Sequence, residues 1–233
     1  MTTADGPHGA DGWTATVRRR LGLGRLLPLG GPSDCSWIAE RAAATVLRDA
    51  ATGTGAVLGT LRIAPADPDN APEPAAPGPP SALPPGPLRI EAGFSATARR
   101  PLLATADALR AALLTAAAQR LGLVVDEVDL RMTELLEEEP GRAARQPADF
   151  RAVEPEGAAG AAAAGVPGVV SLTRVLGGAA RTPHGDGHVQ VELAASGDHR
   201  ALDVAQAVRG AVADAVEGPL TVAVLVTAVV DRD

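Results

Sequence analysis

Lysine and tyrosine are missing altogether from this 233-residue chain, cysteine occurs once, and the aromatic set is Trp13, Trp37, Phe94 and Phe150. A core this poor in rings has to be built from Leu, Val and Ala. Fully burying a Val or Leu contributes roughly 1.5–3 kcal/mol, so a small unit with about a dozen of them is marginal against chain entropy and needs a neighbour to pack on. The lone Cys35 has no partner for an intramolecular disulfide. All 21 basic residues are Arg, against 28 acidic residues, for a net charge of -7. That balance disfavours a general nucleic-acid binder, which needs clustered positive charge. Long apolar runs are absent too. The most apolar stretch, Leu220 to Val230, is about half of the ~20 residues that a spanning helix requires. Arg18-Arg19-Arg20 is followed by Leu21 to Pro28, where glycines, Arg25 and the proline interrupt any secretion-signal helix. A soluble, cytoplasmic protein is expected.

What the chain does contain is an internal echo: residues 53–133 are repeated, more compactly, by 165–229. Residues 1–12 are polar and Gly-rich and read as disordered. Trp13 to Leu29 reads as a small cap on the first unit, so that 1–34 form a disordered start and N-terminal cap. In the first unit, 35–137, Ser36 is placed to cap a helix through Arg48 that Trp37 and Ile38 anchor, and Gly53-Thr-Gly55 ends it. Val57, Gly59, Leu61 and Ile63 then alternate with Leu58, Thr60 and Arg62 as in a half-buried strand. Pro65 to Pro87 holds half of the 20 prolines and reads as an extended, semi-rigid spacer loop, its PxxP pattern arising from proline density alone. Leu88, Ile90, Ala92 and Phe94 mark a second strand; a helix from about Pro101, with Leu102, Ala106, Leu109, Leu113, Ala116 and Ala117 as its apolar stripe, is capped by Gly122; and Val128, Leu130 and Met132 mark a third strand.

Residues 138–157 read as an acidic linker, which Glu137, Pro140, Pro147 and Pro155 mark out. The second unit, 158–233, repeats the order. The Ala158 to Ala164 run is its reduced leading helix, Val169 to Leu176 and Val189 to Leu193 its first two strands, and 201–216 its helix, with Asp198 as the cap. Val222, Val224 and Val226 form its last strand. The fold class expected is α+β: two tandem αββαβ units, each a small mixed three-stranded sheet covered by helices.

Candidate chemistry is thin. His184, Asp186 and His188 form the one local cluster of metal-capable side chains, in a turn whose glycines and aspartate also suit a plain hairpin. Cys35 near a helix start reads as a tolerated single cysteine in preference to a nucleophile, and Asp126, Glu127 and Asp129 read as ordinary outward acids at the start of a strand. Gly165-Val-Pro-Gly168 matches the GXXG of KH domains formally, but it precedes a strand and lacks basic flanks. Arg18, Arg19, Arg20 and Arg25 are the residues set out for contact with a partner or an anionic membrane surface, at ~1 kcal/mol each. That suffices for peripheral attachment alone. No catalytic residue and no cofactor is indicated.

Gly165-Val-Pro-Gly-Val-Val-Ser-Leu, His188-Val-Gln-Val-Glu-Leu, Val204-Ala-Gln-Ala-Val-Arg and Leu220-Thr-Val-Ala-Val-Leu-Val make the second unit similar to the alkaline-shock-protein family of the bacterial envelope stress response. Val57-Leu-Gly-Thr-Leu-Arg-Ile, Pro87-Leu-Arg-Ile-Glu-Ala and Val128-Asp-Leu-Arg-Met-Thr carry the resemblance more distantly into the first. The whole chain, with Trp13-Thr-Ala-Thr-Val-Arg and Leu21 to Gly30, also resembles a group of actinobacterial proteins that carry a nucleopolyhedrovirus-derived name. The Arg-only, Ala/Gly/Pro-rich composition of a GC-rich genome agrees with such a source. The resemblance implies a non-enzymatic cytoplasmic protein held near the membrane by an anchored partner, a membrane-anchored paralogue or further copies of itself. It carries no site residue across. The rival expectations are a metal- or ligand-binding protein or enzyme with a site between the units, and a KH-like RNA binder.

Overall fold

Alternating apolar and polar residues build one sheet of this protein, and continuous apolar runs build the other. The computed structural model describes residues 22–138, 150–177, 180–181, 187–217 and 221–231. In chain order the elements are β1 (Leu26–Leu29), β2 (Ser36–Ala39), α1 (Glu40–Ala51), β3 (Ala56–Pro65), β4 (Leu88–Thr97), α2 (Leu102–Ala116) and β5 (Val125–Leu136). They continue with β6 (Ala152–Val153), α3 (Gly157–Ala164), β7 (Val169–Thr173), β8 (Ala180–Arg181), β9 (His188–Ser196), α4 (Ala201–Ala215) and β10 (Thr221–Val230). The class is α+β, as the residue patterns led us to expect.

The small sheet runs β3-β4-β5, with β3 antiparallel and β5 parallel to β4. Ile63, Ile90 and Phe94 are buried on its inner side, and Leu109 and Leu113 of α2 are buried with them. The large sheet runs β1-β2-β10-β9-β7-β6, and β8 also pairs with β9. Within it β7 is antiparallel and β10 parallel to β9. The strand order and sense of β7-β9-β10 are therefore those of β3-β4-β5, each closing through a helix.

Three expectations need correction. Ser36 to Ala39 is a strand, parallel to β10 through Ser36–Val224, Trp37–Leu225 and Ile38–Val226, and the helix begins only at Glu40. Its N-cap is Ala39, without a side-chain hydrogen bond. The strand wins because β10 would otherwise present an open, wholly apolar edge. Second, the part of the cap that is described, β1, is itself a strand of the large sheet through its antiparallel pairing with β2. Third, α4 is preceded by Arg200, again without a side-chain cap, while Asp198 bonds the Ser196 hydroxyl.

One apolar cluster runs through both sheets. Between them α1 touches α2 and β3 on one side and β2 and β10 on the other. The joint is completed by a π-helical turn, Ala117–Leu121, at the end of α2. Its Arg120 pairs with Asp49 of α1 at 3.0 Å and with Asp231, just past β10, at 3.1 Å. Gly122 ends the turn with φ of 89°, and a Cβ there would collide with Leu202 of α4. Only glycine meets both demands at low cost.

The proline-rich loop between β3 and β4 does more than span. Trp37 is buried, and its Nε1 donates to the Leu83 carbonyl at 3.1 Å. Gly78 lies against the same indole, and the Leu83 amide donates to Leu26 of β1 at 2.9 Å. The loop thus covers the outer edge of the large sheet.

Candidate functional site

The two sheets differ in what they leave wet. In β10 every residue from Val222 to Ala228 is buried, and in β9 every residue from Val191 to Ser196. Even Glu192 is buried, its carboxylate accepting the backbone amides of Val175 at 2.5 Å and Leu176 at 3.0 Å. The small sheet is covered on one side only. Its other side is an open face on which polar residues from three strands come together.

Strand register sets the order of that face. Arg62, Glu91 and Asp129 lie in one row across β3, β4 and β5, and Arg89 and Glu127 lie in the next. Arg89 Nε sits 2.8 Å from Asp129, 3.6 Å from Glu127 and 3.7 Å from Glu91. One guanidinium therefore serves three carboxylates. Gly93 occupies the following row, opposite Arg131. A side chain there would meet the Thr60 hydroxyl at 2.7 Å and the Thr133 methyl at 3.0 Å, so bare backbone floors the face at its centre. The result is an open groove of about 650 Å³ lined by Thr60, Arg62, Arg89, Gly93, Arg131 and Thr133 among others. Arg62 and Arg131 have no ion-pair partner among the described residues.

The residues singled out from sequence lie elsewhere or are already engaged. Arg18, Arg19, Arg20, His184 and Asp186 fall outside the described residues. His188 opens β9, where its Nδ1 lies 2.7 Å from the Thr221 hydroxyl, and burial pushes its pKa below the ordinary value. Arg25 is committed to Glu40, with its NH2 3.0 Å from Oε1, its Nε 3.3 Å and its own amide 3.2 Å from Oε2. Burial pushes Glu40 up, but these bonds and the positive charge outweigh it. Helped by the Ile63 amide, they hold the carboxyl below its ordinary value. Arg25 thus joins β1 to α1 and β3 and is not held out to a partner.

Cys35 is buried with φ of 43° and leads into a strand, so no helix N-terminus acts on it. Asp129 and Glu127 do share a face, as partners of Arg89. The GXXG stretch is the turn from α3 to β7, with Gly168 at φ of 90° against Val204 and His199. Among the described residues no group of three or more His, Cys, Asp or Glu is placed to hold a metal ion, and no helix is long and apolar enough to cross a membrane. Between the units, where a site was one alternative, Arg120 with its two aspartates and the Gly122–Leu202 contact occupy the joint.

The open-face residues were missed as a set because each one is unremarkable alone. Their signal is the polar half of the alternation in β3, β4 and β5. Compared with family models, curated proteins and solved structures, the chain matches none.

Proposed function

We propose that this chain is a non-enzymatic binding or scaffold module that offers the open face of its small sheet to another protein. The observation that carries this reading is the contrast between a large sheet whose central strands β9 and β10 are buried along most of their length and a small sheet with an open charged groove. An antiparallel or mixed sheet with one solvated face ordinarily carries scattered polar residues. Here a floor of bare backbone, two guanidiniums without an ion-pair partner among the described residues and a three-carboxylate cluster lie side by side, a pattern that offers both charge signs to a polar partner surface.

The shared connectivity of β3-β4-β5 and β7-β9-β10 supports descent of the two αββαβ units from one duplicated unit. With the residue resemblance described above, it supports placing the chain among envelope stress-response proteins that act in the cytoplasm, against a membrane-anchored partner. In that placement the large unit serves as the rigid base and the small unit as the contact surface.

The test is affinity capture from the native host with wild-type protein and with Arg62→Gln, which removes the charge without setting a carboxylate opposite Glu91. Arg62 makes no ion pair among the described residues, so the variant should keep the wild-type thermal midpoint. It should lose the captured proteins by a factor of about ten or more if the face is the contact surface. Equal capture by both proteins would refute the assignment of the face. Stoichiometric metal, or a midpoint raised by several degrees on adding a metal or small ligand, would replace the module by the ligand-binding alternative.

A further inference from the structure

The outer strand of the small sheet, β5, is twelve residues long and, among the described residues, pairs with β4 on one side only. We infer that β5 pairs antiparallel with β5 of a second copy of this chain, about a two-fold axis at Leu130, to make one continuous six-stranded sheet. The inference rests on the reading of the small sheet as the contact surface, but it uses that sheet's edge and not its groove.

Three observations lead to this register. The pairing of β5 with β4 shifts between Val125 and Glu127 and again between Met132 and Glu134, so Asp126 and Thr133 are extra residues in β5. Between them Glu127 to Met132 is a regular run, and a two-fold pairing that keeps inner and outer faces aligned must centre on a residue near its middle. Centring on Asp129 sets that carboxylate against its own copy, and centring on Arg131 sets two guanidiniums together. Like charges directly opposite are unfavourable. Centring on Leu130 instead places Asp129 opposite Arg131 of the second copy, twice by symmetry.

That arrangement supplies the ion-pair partner that Arg131 lacks among the described residues. Asp129, whose carboxylate faces Arg89 at 2.8 Å, gains a second guanidinium. On the inner side it brings Val128 against Met132 and Leu130 against Leu130, residues that the monomer leaves incompletely covered: Met132 is 37% exposed, and Val128 and Leu130 are half-buried. The contact it would displace is a long one, Arg110 Nε to the Val128 carbonyl at 3.4 Å. An edge this long with a short stretch of self-complementary charge fits a second copy better than it fits an unrelated strand.

Sedimentation equilibrium from about 1 to about 300 µM tests it. Wild-type protein is expected to dimerise, and Asp129→Arg and Arg131→Asp each to weaken the dimer by a factor of about ten or more. An equimolar mixture of the two variants should recover association, because only the mixed pair is charge-complementary at both positions. Should Asp129→Arg fail to fold beside Arg89, oxidation of Leu130→Cys should still yield a covalent dimer, since paired Cα atoms lie about 5.5 Å apart. Met132→Cys, which faces Val128, should not. A wild type that stays monomeric, single variants that dimerise unchanged, a mixture that recovers nothing or an uncrosslinked Leu130→Cys would each overturn the pairing. If the wild type stays monomeric and yet captures host proteins in an Arg62-dependent way, the pairing alone has failed.

Discussion

The large and small sheets share a strand order but not a relation to water. In the large sheet β10 reads Thr-Val-Ala-Val-Leu-Val-Thr-Ala-Val-Val and is paired on both edges, by β9 and β2. In the small sheet β5 reads Val-Asp-Glu-Val-Asp-Leu-Arg-Met-Thr-Glu-Leu-Leu and is paired on one. The difference teaches that a single connectivity yields a sealed base when extra strands and a proline loop close its edges. It yields a sheet with one face in water when they do not.

The sharpest way to break the contrast is at the sealed edge. Trp37→Ala removes the buried indole that the proline loop covers, and it is expected to cost about 3–5 kcal/mol in a denaturant titration. The same truncation at the exposed Leu103, 82% accessible, should leave the midpoint where it is.

Next comes the joint between the sheets. Gly122→Ala combines an unfavourable φ with overlap against Leu202 and should destabilise by about 1–3 kcal/mol. If the joint couples the units, this variant should also separate the unfolding transitions seen by tryptophan fluorescence and by far-ultraviolet circular dichroism, which coincide in the wild type.

A smaller effect, and one with a sign, belongs to Glu40. Its carboxyl is held below the ordinary value of 4.5, so it stabilises the fold above that pH, and the stabilisation is lost as the pH falls through the depressed value. Wild type should therefore be more stable than Glu40→Gln at pH 7. The gap in thermal midpoint should narrow as the pH drops below about 4.5, and a gap independent of pH would show that the Arg25 pairing does not set the titration. The smallest effect is expected on the open face, where Arg89→Ala should leave the midpoint unchanged because its three ion pairs are exposed to solvent.

The strands β4 and β5 are legible from their alternation and β9 and β10 from their apolar runs, while β3 is legible as a strand but not in its facing, since a bulge between Leu58 and Leu61 buries Leu58 and exposes Val57; α2 and α4 are legible from stripes through Leu109, Leu113, Val204 and Val208, which are buried. Gly122 as a helix stop was legible as well. β2 was not: four residues are too few to show a period, and Ser36-Trp37-Ile38 runs straight into a helical pattern. What makes those residues a strand is β10, far away in the chain. The proline loop was read as a spacer because nothing local announces that Leu83 and Gly78 meet Trp37. The groove was legible only as scattered polar positions. Which of them face one another depends on register, including the bulges at Asp126 and Thr133.

The pairing of β2 with β10 also has a consequence in time. A ribosome adds about 5–20 residues each second, so roughly 10–40 s separate the emergence of Trp37 from that of Leu225 across from it. Through that interval the β1–β2 hairpin has no neighbour on its inner side, while β3, β4 and β5 are already complete enough to assemble. The half of the protein made first must wait for the half made last. Whatever shields Trp37 and Ile38 on the nascent chain, a chaperone or the proline loop folded early over the indole, then governs how much of the newly made protein reaches its final form.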